Sequence, residues 1–237
     1  MFGRTIGVIA LLSFCLAPPA VSQQPPDAAA VGKDHVTALK ESLQKSMAAL
    51  RGYEWVETTA VSIKGEEKSR IQNSCYYGAD GKLQKIPLGA TPQEKKKGGL
   101  RGKVAENKKK EMSDAAKEAV ALVKQYVPLD PARIGAAKEA GRLSVTPPNS
   151  KGQVQMVIKD YLKPGDSLTL DVNAASDRIS GVTIATFTDT AKDAVGLKVA
   201  FGAFADGTVY PATIQLQVAA QNLAVAIENS GYKKLSS

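Results

Sequence analysis

Residues 201–218 read FGAFADGTVYPATIQLQV, an Asp-Gly pair between two runs of alternating apolar and polar residues. Such a pair flanked by alternation is a strong short-range signal for a β-hairpin, because Asp-Gly accepts the left-handed backbone that a tight turn needs. In 208–218, Tyr210, Ala212, Ile214, Leu216 and Val218 fall on one side, and Pro211, Thr213, Gln215 and Gln217 on the other. A strand of this pattern has one dry face and one wet face, so it belongs to an antiparallel sheet solvated on one side. Leu168, Leu170 and Val172 alternate in the same way against Thr169, Asp171 and Asn173, and Leu223, Val225 and Ile227 repeat the pattern. From Gln153 onward the chain divides into six strands separated by KPGD, AASD, TAKDA, ADG and AQN. Segment 179–187 leaves its inward face open, since it is apolar on both parities.

Upstream, YEWVETTAVSIK, SRIQNSCYYG and LQKIPL predict three more antiparallel strands over 53–88, joined by KGEEK and ADGK. Helices occupy the rest. Val36, Leu39, Leu43, Met47 and Leu50 form one stripe behind a cap at Asp34, with Gly52 at the expected left-handed end. Thr91-Pro92-Gln93-Glu94 reads as a capping box opening a helix that breaks at Gly98-Gly99 and restarts. Met112, Ala116, Ala119, Val120, Val123 and Val127 continue its apolar stripe. A short helix follows from Asp130-Pro131 to Gly141, then a loop over 144–152. No βαβ unit repeats, and the striped helices are the only cover for the dry face. The expected fold is α+β: a single curved antiparallel sheet of about nine strands, a half-barrel wrapped around inserted helices.

Residues 1–22 read as a signal peptide, with Arg4 in the n-region, TIGVIALLSFCLA as the apolar stretch and Ala20-Val21-Ser22 before the cut. The competing reading, lipidation at Cys15 in LSFC, is opposed by the bulky Phe14. Cleavage near Ser22-Gln23 leaves a flexible leader over 23–33 and one domain over 34–237, with a helical insertion at 91–141. The product is expected to be periplasmic or secreted. Cys75 is then the single cysteine, so no intramolecular disulfide forms; a lone Cys in a strand reads as a small packed hydrophobe.

The chain carries a net charge of +8, and segment 94–111 alone holds eight Lys/Arg against three Glu. The patch is one basic block on a nearly balanced chain. Its plain reading is a solvated helix face; its functional reading is contact with an anionic membrane surface or envelope polymer through Lys95, Lys96, Lys97, Arg101, Lys108, Lys109 and Lys110. Gly98, Gly99 and Gly102 would make it a flexible flap suited to cover a cavity. Nucleic acid is not an expected partner, because the chain is exported and the patch has no interleaved aromatics.

Catalytic equipment is scarce. His35 is the one histidine and stands at a helix start beside the leader, a poor place for a firmly held base. One His and one Cys separated by 40 positions make no zinc pattern. Ser42-Leu43-Gln44-Lys45 matches S-x-x-K, but S-D-N and K-T-G are absent, with Ser176-Asp177-Arg178 only a near match. No phosphate-binding glycine motif occurs. The expectation is no enzyme, no catalytic residue, no metal and no cofactor.

The element order together with DGTVYPATIQLQV and the closing LAVAIENSGYKKL, within 201–235, resembles the bacterial envelope carriers of the LolA/LolB/LppX type. The resemblance implies a half-open barrel with a helical lid and a cavity for acyl chains. The family's cavity arginine has no assigned place here: Arg51, Arg70, Arg133, Arg142 and Arg178 are equal candidates. The implied function is that of a monomeric carrier or binding protein for a lipid, a lipoprotein acyl chain or another apolar ligand, with Phe201, Tyr210, Ile214, Leu216 and Val225 as lining residues. The alternative is a non-catalytic module docking through 94–111.

Overall fold

The computed structural model describes residues 33–89, 100–173, 176 and 178–235, and gives side chains for these except 33–36, 100–106, 108 and 109. The expected signal peptide and the capping box at 91–94 lie outside the described residues. Helix α1 spans Lys33–Ala49 and ends in a 3-10 turn at Leu50–Gly52. Strands β1 (Tyr53–Ile63), β2 (Glu66–Tyr77) and β3 (Leu83–Pro87) follow, then α2 (Leu100–Val123), a 3-10 turn at Lys124–Tyr126 and α3 (Pro131–Glu139). The chain closes with β4 (Leu143–Val145), β5 (Gln153–Lys159), β6 (Ser167–Asn173), β7 (Arg178–Phe187), β8 (Ala194–Ala203), β9 (Val209–Val218) and β10 (Leu223–Lys234).

All ten strands join one antiparallel sheet in the order β3-β2-β1-β10-β9-β8-β7-β6-β5-β4. The three early and six late strands are those the turns predict. The tenth is β4, in part of the expected loop, where Leu143 and Val145 pair with Ile158 and Met156. The β1–β2 turn is also tighter than expected: Lys64 and Gly65 have φ of 53° and 81°, and Glu66–Lys68 already belong to the strand. Two positive-φ central residues match the right-handed twist of the flanking strands.

The helices cover part of one face. Leu39 from α1, Ala119 and Val123 from α2, and Ile134 and Ala137 from α3 enter a core with Met156, Ile158, Leu168, Leu170, Val182 and Ile184. Leu168, Leu170 and Ile184 are fully buried; each contributes about 1.5–3 kcal/mol by leaving water. The short helix expected from Asp130-Pro131 forms as α3, and Asp130 caps it, its Oδ1 accepting from Ala132 N at 2.9 Å.

Several helix expectations are corrected. Met47, Val120 and Val127 are exposed, while Ser46 and Tyr126 are buried instead. The stripe drifts around each helix, and the buried Ser46 hydroxyl accepts from Val209 N at 3.1 Å, tying α1 to β9. Gly52 belongs to a 3-10 turn and is not left-handed. Gly102 lies inside α2.

Two bulges decide which side chains face inward. In β7, Asp171 pairs with Gly181 and Val172 with Ile179, so Ser180 has no partner. An unpaired residue reverses the alternation. Ile179 is therefore buried before the bulge, and Val182, Ile184 and Thr186 after it; this explains the apolar residues on both parities. In β9, Thr213 pairs with Ala200 and Pro211 with Phe201, leaving Ala212 extra. Val209 joins Leu216 and Val218 in the core, and Tyr210 does not. The unbroken run from Tyr210 to Val218 is corrected accordingly.

Candidate functional site

Paired residues on antiparallel strands share a face, so the registers trace rows across the sheet. One row runs Met156, Leu170, Val182, Val199, Ile214, Ile227, Thr59, Ile71, one residue per strand from β5 to β2. A second runs Ile158, Leu168, Ile184, Leu197, Leu216, Val225, Val61. The face is apolar from β5 to β10 and mixed on β1 and β2, where Thr59 enters the first row and Ser69, opposite Val61, continues the second; its cover is not uniform. Met156, Leu170 and Val182 are at most 3% exposed. Val199, Ile214, Ile227 and Thr59 are half-buried, and Ile71 is 39% exposed. The main helix contacts go to β4, β5, β7 and β9. The β10–β1–β2 side continues the face as a trough beyond them.

One end of that trough is aromatic and polar. Trp55, Glu57, Thr59, Val61 and Ile63 alternate onto one face of β1, whose own alternation is unbroken. Trp55 Nε1 donates to Asn229 Oδ1 at 3.1 Å, and its ring stacks at 5.6 Å on Tyr232. Tyr232 touches Tyr210, Tyr210 stacks on Phe204 at 4.5 Å, and Phe204 stacks on Tyr53 at 4.8 Å. Burial, then the neighbouring Tyr210, raises the Tyr232 phenol above its ordinary value. Beside Trp55 the buried Glu57 takes Lys85 Nζ at 2.6 Å on each oxygen. Cys75, opposite Trp55, is fully buried, and burial raises its thiol.

The helices are fixed by a group that sequence reasoning missed. Asp166 ends the KPGD turn and is 3% exposed. Its Oδ1 accepts from Tyr161 N at 2.6 Å, and its Oδ2 from Leu162 N at 3.1 Å and Lys163 N at 3.0 Å. Tyr126, just beyond α2, donates to the same Oδ2 at 2.6 Å and lies 2.8 Å from Thr186 Oγ1. The turn motif marks Asp166 as a turn residue; nothing local to it points to Tyr126, forty positions earlier.

The predicted lining residues separate. Leu216 lies in the covered core, and Phe201 and Val225 lie on its margin. Ile214 lies beyond it, on the trough side. Tyr210 belongs to the aromatic end, its ring over Gly202. Of the basic residues, Lys110 is exposed on α2; Arg101, Lys108 and Lys109 lie on α2 with side chains not described, and Lys95, Lys96 and Lys97 are outside the described residues. The arginines all sit outside the core. Arg70 and Arg133 pair with Glu67 and Asp130 at the surface. Arg51 and Arg178 are exposed. Arg142 Nη1 donates to the Asp160 carbonyl at 2.5 Å. Among the described residues no cluster of His, Cys, Asp and Glu could hold a metal, and no helix is long and apolar enough to cross a membrane.

No family model matches the chain, and no curated protein does. Its likeness is to solved structures. The LolA superfamily protein NE2245 from Nitrosomonas europaea is 10% identical at a TM-score of 0.37, covering 84% of this chain and 94% of that one. A candidate outer membrane lipoprotein-sorting protein domain from Vibrio parahaemolyticus is 11% identical at 0.34, covering 85% and 94%. A DUF1329 family protein from Desulfovibrio piger is 7% identical at 0.32, covering 84% and 93%. At these scores no residue correspondence follows.

Proposed function

We propose that the protein is an exported carrier or binding protein for a lipid or lipidated molecule. The supporting observation is the apolar row that continues past the helices through Val199, Ile214 and Ile227 and, across Thr59, to Ile71. An acyl chain lies along this trough, and its polar head meets the aromatic end with Asn229 and the Glu57–Lys85 pair. Burying such a chain is worth about 0.8 kcal/mol per methylene. Export rests on the signal pattern of residues 1–22.

The test is organic extraction and mass spectrometry of residues 23–237 purified from an envelope without detergent, followed by titration of the delipidated protein with dansyl-undecanoic acid. A stoichiometric acyl species and saturable binding are expected. Ile214→Asn and Ile227→Asn abolish binding while folding is kept, because neither residue belongs to the core. An empty protein that binds no dansyl-undecanoate, or variants that bind as well as the parent, would overturn the reading. In the same proposal segment 94–111, with its eight basic residues, meets an anionic membrane surface. Sedimentation with anionic vesicles should then fall steeply with salt, and salt-independent binding argues against it.

A further inference from the structure

The outer face of the sheet carries a groove of about 480 Å³. Its floor is the row Gln155, Asp171, Gly181, Ala200, on the opposite parity to the core row. The two small residues make a dip, with Asp171 on one side and Lys198, two positions before Ala200, along the other. Glycine at 181 leaves room for the Asp171 carboxylate to lean over it: a Cβ there would stand 2.7 Å from Asp171 Oδ2. The bulge at Ser180 sets this geometry, and its hydroxyl bonds the Asp171 carbonyl at 3.1 Å.

The wall is held in advance. Asn149 Oδ1 accepts from Lys151 N at 2.9 Å and Gln153 N at 3.0 Å, and Thr146 Oγ1 accepts from Gln155 N at 3.0 Å. Asp171 Oδ1 accepts from Gln155 Nε2 at 3.0 Å, which fixes the carboxylate and leaves Oδ2 leaning across Gly181. No described hydrogen bond or ion pair engages Oδ2 or the Lys198 ammonium, and none joins the two across the dip they share.

We infer that this groove is a second binding site, for a small zwitterion whose ammonium meets Asp171 Oδ2 and whose carboxylate meets Lys198 Nζ. Opposite charges on two sides of a floor of small side chains favour a molecule that carries both charges. A singly charged ligand satisfies one side only, and a neutral polyol neither. The apolar edge of Pro147 accepts the short hydrocarbon between the two charges. The site is independent of the carrier reading, since it lies on the other face of the sheet.

The test is a ¹H–¹⁵N NMR titration of residues 23–237 with glycine, 4-aminobutanoate and 6-aminohexanoate, a series of rising charge separation. Butylammonium, butyrate and glycerol are the controls. One zwitterion is expected to shift the amides of Asp171, Gly181, Lys198 and Ala200, and to bind about tenfold tighter than either singly charged analogue. Lys198→Gln should lose about the same factor, with the unfolding midpoint unchanged, because Lys198 has no described partner to lose. Asp171→Asn should remove the ammonium preference. No amide shift at millimolar zwitterion, equal binding of glycerol or butyrate, or unchanged binding by Lys198→Gln would overturn the inference.

Discussion

Removing the Tyr126 hydroxyl tests what holds the helices against the sheet. The hydroxyl donates at 2.6 Å to Asp166 Oδ2, and both residues are buried. A hydrogen bond to a carboxylate contributes about 1.5–3 kcal/mol, so Tyr126→Phe should destabilise the protein by that amount. Asp166→Asn should cost more, because each buried donor left unsatisfied costs about 1–3 kcal/mol. Its amide nitrogen would face the Leu162 and Lys163 N–H donors that the carboxylate now satisfies. Because the two residues share one bond, the double variant should cost less than the sum of the singles, by about 1–3 kcal/mol. Urea unfolding followed by Trp55 fluorescence, from the single tryptophan, reads all four corners of the cycle. The same bond carries a pH dependence. Burial, then the bond to Asp166, raises the Tyr126 phenol. The folded chain therefore keeps a proton that the unfolded chain releases above about pH 10. This contribution is fully present below that pH and is lost as pH rises beyond it. Tyr126→Phe should flatten the alkaline fall, with Tyr161 and Tyr232, also raised by burial, supplying the rest. A cost below about 0.5 kcal/mol for Tyr126→Phe, within the range of a surface change, would refute the reasoning.

Strand β8 contains its own control for steric fit. Gly202→Ala should cost about 1–3 kcal/mol, because the new Cβ would stand 2.6 Å from the Tyr210 ring. Gly196→Ala, with nothing within 4 Å, should be neutral or stabilising; equal effects of the two changes in thermal unfolding would count against the described packing of Tyr210. Cys75 should resist Ellman's reagent in the folded protein and react only as the chain unfolds, since its side chain is fully buried and its thiol raised. Rapid labelling in buffer would show that the β1–β2 face opens locally.

The sequence by itself determined the meander. Alternation in β6 and β10, and the turns at Pro164-Gly165, Asp206-Gly207 and Gln221-Asn222, are set by side-chain parity and local backbone preference, which neighbours in sequence control. It determined the start of α3 at Asp130-Pro131 for the same reason. Only the tertiary structure decided which face each residue takes once a bulge intervenes, because Ser180 and Ala212 are bulged relative to a partner strand and not by their own chemistry. It decided that Ser46 and Tyr126 enter the interior while Met47 and Val127 stay outside. A helix stripe spans several residues, and the surface it meets selects among them. It placed Asp166 beside Tyr126, and Asp171 across a dip from Lys198. It also divided the guessed lining residues between covered core, trough and aromatic end. Those relations join residues far apart in the chain, and the forces that fix them, close packing and satisfaction of buried polar groups, exist only after the chain has closed on itself.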